Sequence, residues 1–484
     1  MTQLAFRTAR EIAHAIRSGE LSALEAADYF IGRIERYDDE VNAVPVRDFD
    51  RAREAAKQAD AAMAKGDAHG PLHGVPMTIK ESYDIAGLPT TWGFPEFKDN
   101  IASSDSFSVE RYKEAGAVFL GKTNVPVALA DFQSYNPIYG TTGNPFDTGR
   151  TPGGSSGGSA AALAAGLTSL ESGSDIGGSI RNPAHFCGVY GHKPTWMIVP
   201  PQGHGLPGQL ASPDIAVCGP LARSAEDLAL ALGIVSGPEP LQSDGWTLTL
   251  PKPRHDRLAD FRVAIWATDE MAPVDGEVEV RAHFVADVLR KAGATVSERA
   301  RPSFDRGVAH ATYLSLLNSI MGATITEEER AQFAAVAAEY DKNDLSPKAV
   351  NARSMIMNHA QWLGANNHRE RLRYAWRDFF ADWDVLICPQ MATPAFAHDQ
   401  SDFAGRTIEI DGERRPYFEQ LYWSGVITES YLPSTVFPTG PSTEGLPIGL
   451  QAVSGEMHDH TTIEFARLMA DEIGGFVVPD GYDD

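Results

Sequence analysis

Three cysteines in 484 residues, Cys187, Cys218 and Cys388, are too few and too far apart for a disulfide framework, and their number is odd. None stands in C-x-x-C spacing, so the usual zinc signature is absent too. No run of 18 apolar residues occurs, and no membrane-crossing helix is expected. Residues 1–17 mix acids and bases without an apolar stretch, unlike a secretory signal. Basic charge is scarce: 41 Lys and Arg stand against 65 Asp and Glu, a formal net charge of −24. A phosphate backbone repels such a chain, and no stripe of Lys and Arg with interleaved aromatics offsets it, so nucleic acid is not an expected partner. A reducing, cytoplasmic setting is the default expectation, with the protein a monomer or homodimer.

What is present is an ordinary globular balance, 43% hydrophobic and 22% charged, long enough to bury a large core. Thr8 with Glu11 and Ser22 with Glu25 have the spacing of capping boxes, each ahead of an apolar run, so two helices open the chain. A third is expected after Asp48, with Ala52, Ala55, Ala59 and Ala62 on one face and Gly66 as its stop. Val75, Met77 and Ile79 then alternate as in a strand that ends at Lys80. A helix running into Gly116 precedes a strand at 117–120, and the same alternation returns at 262–266, 278–292 and 294–296. Strands alternating with helices predict a mixed or parallel sheet covered by helices. Residues 305–380 read as helical, and the proline-rich 238–260 stretch as a surface crossover.

Residues 137–192 are dense in Gly, Ser and Asn, a composition usually found in flexible linkers. A helix former at 160–165 and a strand-like run at 167–171 interrupt it, and a linker needs neither. Three pieces stand out: Gly74-Val75-Pro76-Met77-Thr78-Ile79-Lys80, Gly153-Gly154-Ser155-Ser156-Gly157-Gly158-Ser159, and Gly173-Ser174-Asp175-Ile176-Gly177-Gly178-Ser179-Ile180-Arg181. A serine needs a neighbouring base to become a nucleophile, and a lysine can be that base only if burial keeps it neutral. The apolar strand ahead of Lys80 makes such burial plausible. Successive N–H groups of a glycine turn can converge on one oxygen.

Together these pieces resemble the amidase signature family. The long Gly/Ser signature of that family runs over residues 153–183, with Ser155 and Ser179 separated by 24 positions and the lysine upstream at a strand end, and the resemblance spans nearly the whole chain, weakest at 240–380. Gly121-Lys122-Thr123-Asn124, Asn136-Pro137, Gly191-His192-Lys193-Pro194, Cys388-Pro389 and Leu446-Pro447-Ile448-Gly449-Leu450-Gln451 agree with it. The resemblance implies a catalytic triad with Ser179 as nucleophile, Ser155 as bridging serine after a cis Gly154–Ser155 peptide, and Lys80 as base. It implies an oxyanion hole from the N–H groups of Ile176, Gly177 and Gly178. Ser156, Asp175 and Arg181 would hold the loop in shape, and Leu129 and Phe132 would line an acyl pocket. Neither metal nor cofactor is implied. Ser174 and Glu81 stand where many relatives carry threonine and aspartate.

The implied fold is a single compact α/β domain over 1–484, a mixed twisted sheet surrounded by helices. Its core would span about 60–200 and 385–470, with a variable cap at about 200–385. The implied reaction is hydrolysis of a small-molecule linear amide, or of a carbamate (urethane) or ester with the same carbonyl. Tyr422, Trp423, Tyr431 and Phe437 suggest a pocket for bulky apolar or aryl groups, with ordinary core packing as the other expectation. Two rivals stand beside this. Gly154-Ser155-Ser156-Gly157-Gly158 fits G-x-S-x-G, which would make Ser156 the nucleophile of an α/β-hydrolase with His398, His458 or His460 as its base. A glutamine-dependent amidotransferase subunit is the second. His458-Asp459-His460 is expected to be a solvated helix cap rather than a metal site.

Overall fold

The computed structural model describes residues 3–483. Met1, Thr2 and Asp484, at the ends of the expected 1–484 domain, lie outside the described residues. Both expected capping boxes form: Thr8 with Glu11 opens the Ala9–Ser18 helix, and Ser22 with Glu25 opens Ala23–Val41. The third helix, Phe49–Ala64, differs in its face. Ala52 and Ala56 are buried while Ala55 is exposed, because the buried stripe steps by four residues from Ala52 rather than by three.

A small sheet carries the first strands, β1 (Val46–Arg47), β2 (Pro76–Lys80) and β3 (Val118–Thr123), in the order β1-β3-β2. The main sheet is built from β4 (Glu171–Asp175), β5 (Tyr190–Lys193), β6 (Val217–Ala222), β7 (Arg262–Ile265), β8 (Thr295–Ser297), β9 (Val385–Pro389), β10 (Ser434–Pro441) and β11 (Pro447–Val453). Its order is β8-β7-β9-β11-β10-β5-β6-β4. The β8-β7-β9 edge is parallel and the rest antiparallel, so the sheet is mixed, as expected. Residues 305–380 form the four helices Arg306–Met321, Glu327–Ala337, Pro347–Met355 and His359–Asp382.

The strand expected at 167–171 begins where that reading ends, at Glu171. Leu167 and Leu170 are buried core residues, but the ladder to β6 runs from Glu171↔Leu221 to Asp175↔Val217, through Gly173↔Gly219. Pairing with a glycine-bearing partner overrides the low strand preference of Gly173 and Ser174. This displacement matters for the site. β2 packs along β4, with the Thr78 N–H donating to Thr168 Oγ1 at 2.9 Å. The end of β2 therefore lies beside the start of the glycine turn that follows β4.

Tyr422, Trp423 and Phe437 belong to the main hydrophobic core, Trp423 donating its indole N–H to the Ala272 carbonyl at 3.1 Å. The core expectation for these rings, and not the pocket one, describes them. Asp459 is likewise no solvated cap. It is fully buried and accepts from the Thr195 N–H and hydroxyl, each at 2.8 Å, beside His192 at 3.1 Å. Two sequence-distant partners converge on it, which local spacing does not reveal.

Candidate active site

Every residue of β2 is buried, so the strand carries its terminal lysine into the interior. Lys80 has no solvent exposure. Its Nζ donates to Ser155 Oγ at 2.7 Å and to Ser174 Oγ at 3.0 Å. Burial disfavours the ammonium and lowers the Lys80 pKa to about 7, although the Asp175 and Glu171 carboxylates pull the other way. At neutral pH a substantial fraction of this amine is uncharged, and a hydroxyl already lies within proton-transfer reach.

Ser155 follows a cis peptide from Gly154. Gly154 is confined on all sides: a Cβ there would lie 2.3 Å from the Asp131 carbonyl oxygen, so only glycine fits. Its N–H donates to Asn182 Oδ1 at 2.9 Å, and the following helix, Gly157–Ala164, starts immediately after Ser156. The Ser156 N–H donates to the Ser179 carbonyl at 3.1 Å, tying the two serine loops together. Ser179 itself is 7% exposed, against 1% for Ser155 and 0% for Lys80. Of the three, it is the most exposed.

Asp175 and Arg181 shape the turn that bears Ser179. Both are fully buried and pair at 2.9 Å. Asp175 also accepts from the N–H groups of Gly178 at 2.9 Å, Ile180 at 3.1 Å and Arg181 at 3.3 Å. Burial opposes the Asp175 charge, but the Arg181 guanidinium and these donors hold its pKa down at about 2. The N–H groups of the expected oxyanion set differ in their surroundings. The Gly178 N–H is taken by Asp175, whereas those of Ile176, Gly177 and Ser179 have no acceptor among the described residues. Tyr313, from the Arg306–Met321 helix, donates its hydroxyl to the Ile176 carbonyl at 3.1 Å and fixes that peptide's orientation. Gly178 has φ +108°, and a Cβ there would strike Ser424 and Gln390 at 2.5 and 2.7 Å.

Ser156 does not have the surroundings of a nucleophile. Its hydroxyl is fully buried against the Ser174 backbone, donating to the carbonyl and accepting from the N–H, both at 3.4 Å. His398 sits instead beside the Thr148 carbonyl at 3.3 Å. Among the described residues the Ser156 hydroxyl has no hydrogen bond to a histidine, which the G-x-S-x-G reading would need.

On the far side of the loop lies an apolar wall. Phe132 is buried with Phe186, Met391, Ala395 and Tyr417, and Leu421 packs on this group. Leu421 also lies against the turn at Gly177, where an added Cβ would be 3.1 Å from its Cδ2. Leu129, three residues before Phe132, is half-buried with φ +56° and is not part of this group. Asp131 anchors the wall by accepting from Arg406 and from the Tyr417 hydroxyl, each at 2.7 Å. Sequence reasoning misses Tyr313, Tyr417 and Leu421. They lie more than 130 residues from the loop they touch, and nothing in their local spacing points to it.

Among the described residues no group of three His, Cys, Asp or Glu side chains is placed to hold a metal ion, and no helix is long and apolar enough to cross a membrane. Comparison with known proteins places the chain. The family model described as Amidase matches residues 25–463. An indoleacetamide hydrolase from Bradyrhizobium diazoefficiens is 32% identical over 96% of this chain and 86% of its own length. A glutamyl-tRNA(Gln) amidotransferase subunit from Gloeobacter violaceus is 32% identical over 92% of each chain. Among solved structures, that of 6-aminohexanoate cyclic dimer hydrolase superposes with a TM-score of 0.80 at 26% identity, covering 99% of both chains. From the motif spacing, the buried Lys80–Ser155 contact and these matches together, the chain belongs to the amidase signature family of hydrolases.

Proposed function

We propose that this enzyme hydrolyses amides with bulky apolar or aryl acyl groups, using Ser179 as nucleophile, Ser155 as proton relay and Lys80 as base. The observation that carries this reading is the buried Lys80 Nζ, 2.7 Å from Ser155 Oγ, with its pKa lowered by burial to about 7. Ser179 Oγ attacks the substrate carbonyl and passes its proton to Ser155, whose own proton moves to Lys80. The Ile176, Gly177 and Ser179 N–H groups stabilise the oxyanion. Collapse expels the amine, which takes the proton back from Lys80 through Ser155. A water then attacks the acyl carbonyl, its proton passing through Ser155 to Lys80; the ester bond to Ser179 breaks, Ser179 Oγ takes that proton back through Ser155, and the acid leaves and ionises in solvent.

The wall of Phe132, Tyr417 and Leu421 favours an apolar acyl group, and the relative named for indoleacetamide acts on an aromatic one. A carbamate or ester presents the same carbonyl, so both belong to the proposed range. We place the reaction on small molecules in the cytoplasm, with the helices between about 200 and 385 forming the variable cover. A panel of p-nitroanilide amides, matched carbamates and esters, compared by kcat/KM, tests the reading. Aryl and long apolar acyl groups are expected to exceed acetyl by at least about tenfold, the scale of a few buried methylenes. A flat panel, together with ammonia release from glutamine by the purified chain alone, would overturn it in favour of an amidotransferase-type activity.

A further inference from the structure

Resting on the assignment of Lys80 as base, we propose that Glu171 is a positioning residue for it, a second buried carboxylate whose charge controls whether Lys80 carries a proton. Glu171 has no solvent exposure and sits where the elements bearing the triad meet. Its Oε1 accepts from the Thr78 hydroxyl at 2.5 Å, and Thr78 precedes Lys80 by two residues, on the same face of β2. Its Oε2 accepts from the Ser172 N–H at 3.0 Å. The hydroxyls of Ser159, in the helix that follows Ser155, and of Thr123, at the end of β3, lie 2.9 Å from each other, and both pull the proton affinity of this carboxyl down. One side chain thus gathers the lysine strand, its neighbour and the helix behind Ser155.

The groups facing this region differ in when they titrate. Asp175, on β4, stays ionised, held at about 2. His204, packed against Tyr83 and close to Lys80, is pushed by burial down to about 3 and stays neutral. Cys218, on β6, is pushed up to about 11, and burial drives Tyr83 and Tyr112 upward as well, so all three stay protonated. Glu171 alone among them changes charge in the range of Lys80, burial raising it to about 7 against the pull of its four donors. An ionised Glu171 favours the ammonium. A protonated Glu171 releases that hold and lets the amine accept a proton from Ser155.

The sign is fixed by this coupling. Removing the negative charge lowers the proton affinity of Lys80, so neutral amine persists to lower pH. Glu171→Gln, which keeps the shape and one of the two acceptor oxygens while removing the charge, is expected to move the acid limb of kcat/KM by about one pH unit toward lower pH. The assay is a p-nitroanilide amide that the wild-type enzyme turns over. Glu171→Asp, retaining the charge, should keep its limb near that of wild type, whereas a merely structural role would make both variants weaker at every pH without moving either limb. If Glu171→Gln does not fold, Thr78→Val decides. It removes one donor, raises the proton affinity of the carboxyl, and should shift the limb the same way by less. A folded Glu171→Gln with an unmoved limb overturns the proposal, as does an unmoved Thr78→Val limb where Glu171→Gln does not fold. Loss of the wild-type limb's dependence on Lys80 would instead overturn the base assignment, which Lys80→Ala reads separately through the pH profile of fluorophosphonate labelling.

Discussion

Ser179→Ala is expected to lower kcat/KM by about 10⁴-fold or more while leaving the thermal melt within about 1 kcal/mol of wild type. The kinetic loss is large because the attacking oxygen disappears and no second hydroxyl replaces it. Ser155 is engaged with Lys80, and Ser156 is enclosed by the Ser174 backbone. The stability cost is small because the lost hydroxyl is the most exposed of the three triad side chains. Substrate should still bind, so a folded Ser179→Ala enzyme is expected to retain affinity for a slowly hydrolysed aryl amide. Wild-type turnover from this variant would contradict the nucleophile assignment. Ser155→Ala should retain more residual activity, since it removes the relay but leaves the nucleophile.

The second large effect is on stability. Arg181→Leu leaves the fully buried Asp175 without its guanidinium, and breaking one side of a buried ion pair costs about 3–5 kcal/mol. Arg181 also donates to Gln451 at 3.0 Å, Thr428 at 2.7 Å and the Ser424 carbonyl at 3.4 Å, so three further acceptors lose a partner. Asp175 organises the turn that bears Ser179 through three backbone N–H groups, and activity should fall with stability. Urea unfolding monitored by tryptophan fluorescence measures the first and kcat/KM the second; an unchanged midpoint would contradict the account of the turn. The pH dependence has a definite sign. Asp175 has a folded pKa of about 2, below its ordinary 3.8. The stability it contributes is present above about 4 and is lost as pH falls toward 2.

The parts of this site that are legible in the sequence are those whose chemistry is written in adjacent residues. Lys80 closes an alternating apolar strand, and Ser155, Asp175, Ser179 and Arg181 sit within two short glycine-bearing segments whose spacing resembles a family. The Thr8/Glu11 and Ser22/Glu25 caps are local for the same reason. Illegible are the features that depend on which distant strand or helix comes alongside. In sequence the Gly178 N–H looks like an oxyanion donor, and only the side-chain position of Asp175 shows that it is taken. Strand β4 reads four residues early because Leu167 and Leu170 are apolar, whereas its extent is set by pairing with β6. Glu171 in sequence is an acid at the end of an apolar run, and becomes informative only once Thr78 lies against it. Trp423 and Phe437, aromatic enough to suggest a pocket, are consumed by the core.

The central claim is that the base is a neutral lysine created by burial, and the pH dependence of Ser179 modification tests it most directly. The second-order rate of inactivation by a fluorophosphonate reports the fraction of activated nucleophile without requiring the natural substrate. It is expected to rise with pH to a plateau with its midpoint near 7, following the value to which burial lowers Lys80, and to lose that limb in Lys80→Ala. A midpoint near 10, where an ordinary solvated lysine titrates, or a limb that survives in Lys80→Ala, would contradict the account.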